Sequence, residues 1–285
     1  MIGKEQLKEI EPHVNGLAAI YVPTAGIVDY NQVCRVFQKK IHGDLLLNTK
    51  VERVQEEKDS VHIETSSRSF HAKFLINCGG LYSDRVARRS GVDVDLKIVP
   101  FRGEYYKLKP EKERLVNNLI YPVPNPNFPF LGVHFTRMIG GGVKVGPNAV
   151  LGLKREGYNK TDFSIIDTAE VLTYPGFWKL AVRYWKDGIA EMVRSFSKKA
   201  FVRSLQQLLP EIGEEDLEPA PAGVRAQALK PDGTMVDDFH LIQGKNSIHV
   251  CNAPSPAATA SIEIGKEIVS RISEVVKTKS LSRIS

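Results

Sequence analysis

A guanidinium set among small residues is the most pointed chemistry in this 285-residue sequence. From Gly223 to Leu229 the residues alternate, so Val224, Ala226 and Ala228 share one strand face while Arg225 and Gln227 share the other. Arginine in that setting can grip a carboxylate through two parallel N–H···O bonds. A solvated strand face accounts for the same residues without a ligand. Phe101-Arg102-Gly103-Glu104-Tyr105-Tyr106 alternates too, pairing Arg102 with Glu104 and Tyr106, and Phe101 with Tyr105. An Arg–Glu structural pair explains the first of those faces. Further on, Val133 and Phe135 face one way and leave His134 and Thr136 facing the other. His134 is a candidate catalytic base if its face lines a pocket, because an alcohol must lose its proton as hydride departs. A lone strand histidine is more often structural.

A second constellation is built from small residues. Asn252-Ala253-Pro254-Ser255-Pro256-Ala257-Ala258-Thr259-Ala260-Ser261 follows a short apolar strand and opens a helix. Ser255 suits an N-cap and Pro256 the first helical turn. Ala257, Ala258 and Thr259 would then present free N–H groups at the positive end of the helix dipole. A flavin, which gains negative charge along one ring edge on accepting hydride, suits such a site. A capped helix packed closely through small side chains explains the run equally well. Asn77-Cys78-Gly79-Gly80 also ends an apolar strand before a helix, which suits a dinucleotide phosphate or ribose, although many α/β turns carry glycines for geometry alone. The Gly-x-Gly-x-x-Gly loop that grips a pyrophosphate is not found in the chain; Gly140-Gly141-Gly142 reads as a hairpin tip.

The elements that must hold these residues alternate. Asp29 caps a helix from Tyr30 to about Ile41, with Val33, Val36, Phe37 and Ile41 on one face. Short strands follow at Leu45 to Leu47, Val51 to Gln55, Val61 to Thr65 and Phe70 to Ala72, then a strand ending at Asn77 and a helix closed by Gly91. The middle third reads as antiparallel strands at Val99 to Leu108, Leu119 to Val123, Phe130 to Arg137 and Val143 to Gly146. From Thr161 to Leu209 the pattern is helical, with Tyr174, Phe177, Trp178, Tyr184 and Trp185 read as core. Strands return at Gly223 to Leu229, Asp238 to Ile242 and Ser247 to Cys251. A closing helix carries Ile264, Ile268, Ile272 and Val276 as one buried stripe, before a basic, serine-rich tail expected to fray.

Composition narrows the classes. An apolar share of 42% and a charged share of 25% are those of a globular protein. The net charge of +6 is spread along the chain, with no Lys/Arg stripe interleaved with aromatics, so nucleic acid is a poor partner. Three cysteines (Cys34, Cys78, Cys251) form no CxxC, and neither a metal site nor a disulfide framework is expected. No apolar run has the length of a membrane span.

Several passages are similar to the L-2-hydroxyglutarate dehydrogenase/oxidase family, within the D-amino-acid-oxidase-like flavoproteins. They are EPHVNGLAAIYVPTAGIVDY (11–30), INCGGLYSD (76–84), PFRGEYY (100–106), IYPVPNPNFPFLGVHFTR (120–137), GPNAVL (146–151), PAGVRAQAL (221–229) and HVCNAPSPAATAS (249–261). The resemblance implies an α/β fold: an incomplete Rossmann-like FAD domain (30–92 and 245–279) interleaved with an α+β substrate domain on an antiparallel sheet (11–29 and 93–244), with 1–10 and 280–285 as ends. It implies FAD contacts from Val51, Cys78, Gly79, Gly80, Asn252, Ala253, Ser255, Ala257 and Ala258. It implies a substrate carboxylate on Arg225; Tyr105, Arg102 and Gln227 are further candidate substrate-binding residues, and His134 is the candidate base. Arg102 and Arg137 are candidates by type for the second cation that a dicarboxylate needs. The implied reaction takes L-2-hydroxyglutarate to 2-oxoglutarate, with electrons passing to a quinone-type acceptor or oxygen. The implied location is cytoplasmic with peripheral contact at the inner membrane, or mitochondrial in a eukaryote. The family's N-terminal Gly-rich segment has no counterpart here, so the chain is read as a truncated form. Oxidation of an amino acid or N-methyl amine on the same scaffold, and a non-enzymatic fragment, are the alternatives.

Overall fold

The computed structural model describes residues 1–124, 132–253 and 257–281, with side chains through Ile272. They form two compact units. The first comprises Met1–Lys39, Pro100–Glu170 and Trp178–Arg225; the second comprises Lys40–Val99, Val171–Phe177 and Ala226–Ser285.

In chain order, β1 (Ile2–Gly3) and β2 (Ala18–Ala19) pair around α1 (Lys4–Ile10). Helix α2 (Tyr30–Lys40) starts at Asp29, whose carboxylate accepts the Asn31 N–H at 2.9 Å, as its N-cap chemistry requires. The apolar face of this helix is open: Val36, Phe37 and Ile41 are exposed, and none of its residues is buried. Leu45 to Leu47, expected as a strand, is an exposed loop, since consecutive leucines lack the alternation of a half-buried strand and find no partner.

Strands β3 (Val51–Glu56), β4 (Val61–Thr65) and β5 (Ser69–Ala72) make an antiparallel meander. β6 (Leu75–Asn77) leads through a 3-10 turn to α3 (Ser83–Arg89), which ends at Gly91 with φ +78°.

The first unit is organised by β7 (Lys97–Leu108), which pairs antiparallel with β9 (Val143–Gly146) and β10 (Val150–Leu151). β8 (His134–Arg137) pairs with β9 across the expected glycine turn, where Gly141 and Gly142 take φ of +87° and +89°. The strand expected at Leu119 to Val123 reduces to a single bridge, Ile120 to Phe135. Helices α4 (Ile165–Leu172), α5 (Pro175–Arg183), α6 (Trp185–Phe196) and α7 (Lys198–Leu205) follow. Phe201, Val202 and Leu205 of α7 join Phe135, Val143 and Val145 in the main core.

Helix α6 is inside out. Its buried residues are Glu191 and Ser195, while Ile189, Met192, Val193 and Phe196 are exposed. Glu191 is held there because its carboxylate accepts the Ala149 N–H at 3.0 Å. The expectation that Trp178 and Trp185 are core is corrected: both are exposed, Trp185 on α6 because the tethered side of that helix is its polar one, and Trp178 on α5 while Leu180 of that helix is the side chain buried.

β11 (Leu217–Leu229) is longer than its alternating segment and pairs with β7. In the second unit β13 (Ser247–Asn252) lies parallel to β6 and antiparallel to β12 (His240–Gln243). All six residues of β13 are buried, as expected of a central strand. Helix α8 (Ser261–Leu281) packs Ile268 onto Ile248 and Val250, with Ile264 and Ile272 alongside, so three members of the expected stripe do face a core. The architecture is α/β: a parallel strand pair with helices in one unit, and an antiparallel sheet with helices in the other.

Candidate cofactor and substrate sites

The parallel pair sets up the first site. β6 and β13 run side by side, so the loops after Asn77 and Asn252 leave the same end of the sheet, where α/β proteins bind ligands. Between those loops is a cavity of about 370 Å³ walled by Cys78, Gly80, Ala253, Ala257, Ala258 and Gly265. Gly80 has φ +51°, and a Cβ built there meets nothing within 4 Å, so the turn needs glycine and leaves open space beside it. Residues 257–260 form a 3-10 turn, and the α-helix proper begins at Ser261. Ser255, the expected N-cap, lies outside the described residues. Asn252 directs its amide to the carbonyls of Val236 at 3.0 Å and Asp238 at 2.7 Å, so that side chain is committed to the loop. Gly79 borders the cavity loop, whereas Val51 is not among the lining residues; its carbonyl accepts from Arg89 at 2.8 Å. The Cys78 thiol is pushed up by burial, which disfavours the thiolate.

A buried hydrogen-bond relay fixes the Cys78–Ser83 turn. Ser247 Oγ–H donates to the Glu56 carboxylate, so His249 Nε2–H must donate to Ser247 Oγ, at 2.7 Å. His249 Nδ1 is therefore the acceptor, and it takes an Asn77 amide hydrogen at 3.0 Å. Asn77 gives its other hydrogen to the Ser83 carbonyl at 2.8 Å and accepts the Gly79 N–H at 3.0 Å. Burial lowers the affinity of His249 for a proton, opposed by Glu56. A side chain at Gly79 would meet Asn77 Oδ1 at 2.9 Å, so this glycine serves the relay. Sequence reasoning found the glycines and missed the relay, because its members come from three separate strands.

One atom in the cavity wall is orphaned. Ser83 Oγ is buried with no hydrogen-bond partner, alone among the buried side-chain polar atoms of the described residues. Ser90, which caps the far end of the same helix, by contrast donates to the Val86 carbonyl at 2.9 Å. A small-residue cleft with an unsatisfied hydroxyl in its wall fits a ligand with polar edges and a flat apolar body, which is the chemistry of a flavin dinucleotide.

The second constellation lies on one face of the antiparallel sheet in the first unit. Lys107 of β7 stands opposite Lys144 of β9, and Lys144 opposite Thr136 of β8. Period two then puts Tyr105, Lys144 and His134 on a common face. Tyr105 is held protonated by burial, opposed by the charge of Arg225, and Arg225 itself is depressed by burial. The charge of Arg225 thus reaches both Tyr105 and His134. His134 Nδ1 sits 3.1 Å from the Gly132 carbonyl, which can only accept. The proton is on Nδ1, and neutral His134 keeps the Nε2 lone pair available. Burial lowers its proton affinity, and Arg225 adds to this against the Gly132 bond. The ring stacks on Tyr121, with centroids 4.4 Å apart, which fixes its plane. Tyr121 and Lys144 were not singled out from sequence; only strand register reveals them.

The remaining candidates are engaged by nearby groups. Arg102 is buried on the opposite face of β7, donating to Glu104 at 3.0 and 3.3 Å and to the Asn159 carbonyl at 3.0 Å. Arg137 donates to the carbonyls of Val116 and Glu113. Gln227 donates to the Ala228 carbonyl at 3.2 Å.

Comparison with known proteins agrees with this reading of the cavity. The chain matches the family described as FAD dependent oxidoreductase (DAO) over residues 1–271. It is 54% identical to an L-2-hydroxyglutarate dehydrogenase of Indibacter alkaliphilus, over 92% of this chain and 66% of that one. The Escherichia coli K12 and human mitochondrial proteins of the same name are 45% and 42% identical, with 67% and 64% of their lengths covered. The chain thus spans about two thirds of the length of these curated relatives. Among solved structures, the dithionite-reduced L-α-glycerophosphate oxidase of Mycoplasma pneumoniae with FAD bound superposes with a TM-score of 0.68 at 18% identity, covering 95% of this chain and 64% of that one. Glycine oxidase of Geobacillus kaustophilus gives 0.54 at 16% identity, covering 87% and 55%. These structures share the fold. On residues 1–271 and the close curated relatives, the chain belongs to the DAO family of FAD dependent oxidoreductases.

Proposed function

We propose that these residues serve an enzyme that oxidises L-2-hydroxyglutarate to 2-oxoglutarate with FAD. The observation that carries the reading is the cluster of Arg225, Tyr105 and His134, with a neutral imidazole whose Nε2 is available. The close relatives named L-2-hydroxyglutarate dehydrogenase support the substrate. FAD, when bound, supplies the acceptor for the hydride that leaves the carbinol carbon. Cys78, Gly79, Gly80, Asn252, Ala253, Ala257 and Ala258 are the residues to hold it, joined by Ser255.

The protein's own part is positioning and proton transfer. Arg225 chelates the carboxylate beside the reacting carbon, and the Tyr105 phenol, kept neutral, donates a hydrogen bond to it. His134 Nε2 takes the hydroxyl proton as the C–H bond breaks, so the carbinol loses one hydride and one proton and becomes a ketone. The test is bleaching of bound flavin without oxygen. L-2-hydroxyglutarate should bleach it while glycine and sarcosine do not; the reverse would transfer the protein to amine oxidation.

Electrons then leave to a quinone-type acceptor or oxygen, and a membrane-borne quinone suits the α5–α6 segment. That segment exposes Trp178, Val182, Trp185 and Phe196 among Lys179, Arg183 and Lys186, a composition that suits an anionic bilayer. No helix among the described residues is long and apolar enough to cross a membrane. Flotation with anionic vesicles, lost on Trp185→Ser with Phe196→Ser, tests peripheral docking; equal flotation of the variant would remove it. Relatives from eukaryotes carry the name mitochondrial, and the same location is proposed for a eukaryotic source.

A further inference from the structure

We infer that Lys144 is the second cation of the substrate site and takes the carboxylate remote from the reacting carbon. The inference rests on the dicarboxylate reading above and names the residue that makes the site selective for it.

Register places Lys144 on the face that carries Tyr105 and His134. Its ammonium stands 3.8 Å from the centre of the Tyr105 ring, and Tyr105 is the residue coupled to Arg225. Two cations therefore border one phenol. Among the described residues no carboxylate forms a salt bridge with Lys144, while Lys107 directly across the ladder is neutralised by Glu218 at 3.0 Å. The ammonium is half-buried, and loss of water lowers its proton affinity. A partly desolvated cation held over an aromatic face without a counter-ion is poised for an incoming anion. The two arginines suggested by residue type are occupied: Arg102 by Glu104 and the Asn159 carbonyl, Arg137 by the Val116 and Glu113 carbonyls.

The structural alternative is a lysine that merely covers Tyr105 with its stem. The two differ in ligand selectivity, which packing does not control. The 285-residue chain is loaded with FAD, and glutarate and butyrate binding are measured by calorimetry alongside flavin bleaching by L-2-hydroxyglutarate and 2-hydroxypentanoate. Lys144→Met keeps the stem and removes the charge. It should weaken glutarate binding and raise KM for L-2-hydroxyglutarate about 30-fold, the order expected for a lost charged hydrogen bond. Butyrate and 2-hydroxypentanoate should change less than about twofold, and Lys144→Arg should restore most of the dicarboxylate preference. Thermal unfolding checks each variant, and Lys144→Gln carries the same comparison if Met proves destabilising. Equal losses for both ligand classes, or none for the dicarboxylates, would overturn the assignment to Lys144 alone. A wild-type chain that neither binds glutarate nor is bleached by L-2-hydroxyglutarate would overturn the substrate reading as well.

Discussion

Lys144 holds its ammonium 3.8 Å from the ring centre of Tyr105, across the ladder between adjacent strands of one sheet. The contact joins a residue legible from sequence to one that was not. It also makes Tyr105 the centre of the candidate substrate site, with His134 further along the same face and Arg225 acting on it electrostatically.

The base is the first member of that site to test. Burial depresses His134 below the ordinary histidine value of 6.5, with Arg225 adding to the effect and the Gly132 bond opposing it. The folded protein therefore holds the proton less tightly than the unfolded chain. Flavin reduction should fall as pH drops through that depressed value and stay level above it, and the site should also lose stability on acidification below about 6.5. His134→Gln should slow anaerobic flavin reduction by roughly 10²–10⁴-fold in stopped flow. A variant with an unchanged rate and pH profile would leave the ring a structural part only.

Arg225 is argued by geometry of recognition. Arg225→Lys keeps the charge and loses the two-pronged grip, so KM should rise about tenfold or more. Unlike a change at Lys144, the loss should be the same for mono- and dicarboxylate 2-hydroxy acids, because both carry the carboxylate beside the carbinol. Steady-state kinetics with matched substrate pairs reads this directly.

The relay behind the cavity loop makes a stability prediction. Asn77→Ala would leave His249 Nδ1, the Gly79 N–H and the Ser83 carbonyl without their partner. Unsatisfied buried groups of this kind cost about 1–3 kcal/mol each before relaxation, so a clear drop in Tm is expected, together with weaker flavin retention. Differential scanning fluorimetry with and without FAD separates the two effects.

Ser83 should behave in the opposite sense. Its hydroxyl is already unpaired, so Ser83→Ala should leave the flavin-free protein unchanged or stabilise it by about 1 kcal/mol. Urea unfolding of the two forms measures this. A substantial loss of stability would mean that the hydroxyl has a partner in solution.

What the sequence disclosed followed from local physics. Alternation between 99 and 108 exposed the two faces of β7, and with them the Arg102–Glu104 pair that the structure contains. Small residues and glycines after Asn77 and Asn252 marked the two loops that wall the cavity. Lys144 and Tyr121 were hidden because their importance depends on which residue of a distant strand lies opposite, a matter of register. The Asn77–His249–Ser247–Glu56 relay was hidden for the same reason. The aromatics of α5 and α6 misled in another way: their spacing is truly helical, but spacing alone does not say which side faces inward, and on α6 the tether from Glu191 to Ala149 turns the polar side in. Leu45 to Leu47 read as a strand from apolar character alone, and the described residues pair no strand with them.

The ladder carrying Tyr105 and Lys144 also acts as a ruler. Adjacent strands sit about 4.8 Å apart, and β9 and β11 both pair with β7. The two basic groups are therefore mounted on backbone that cannot glide by fractions of a strand. With Lys144 as the proposed second cation, strand register rather than loop motion sets the span between the two basic groups, so a diacid shorter or longer than the one that bridges them should bind less tightly.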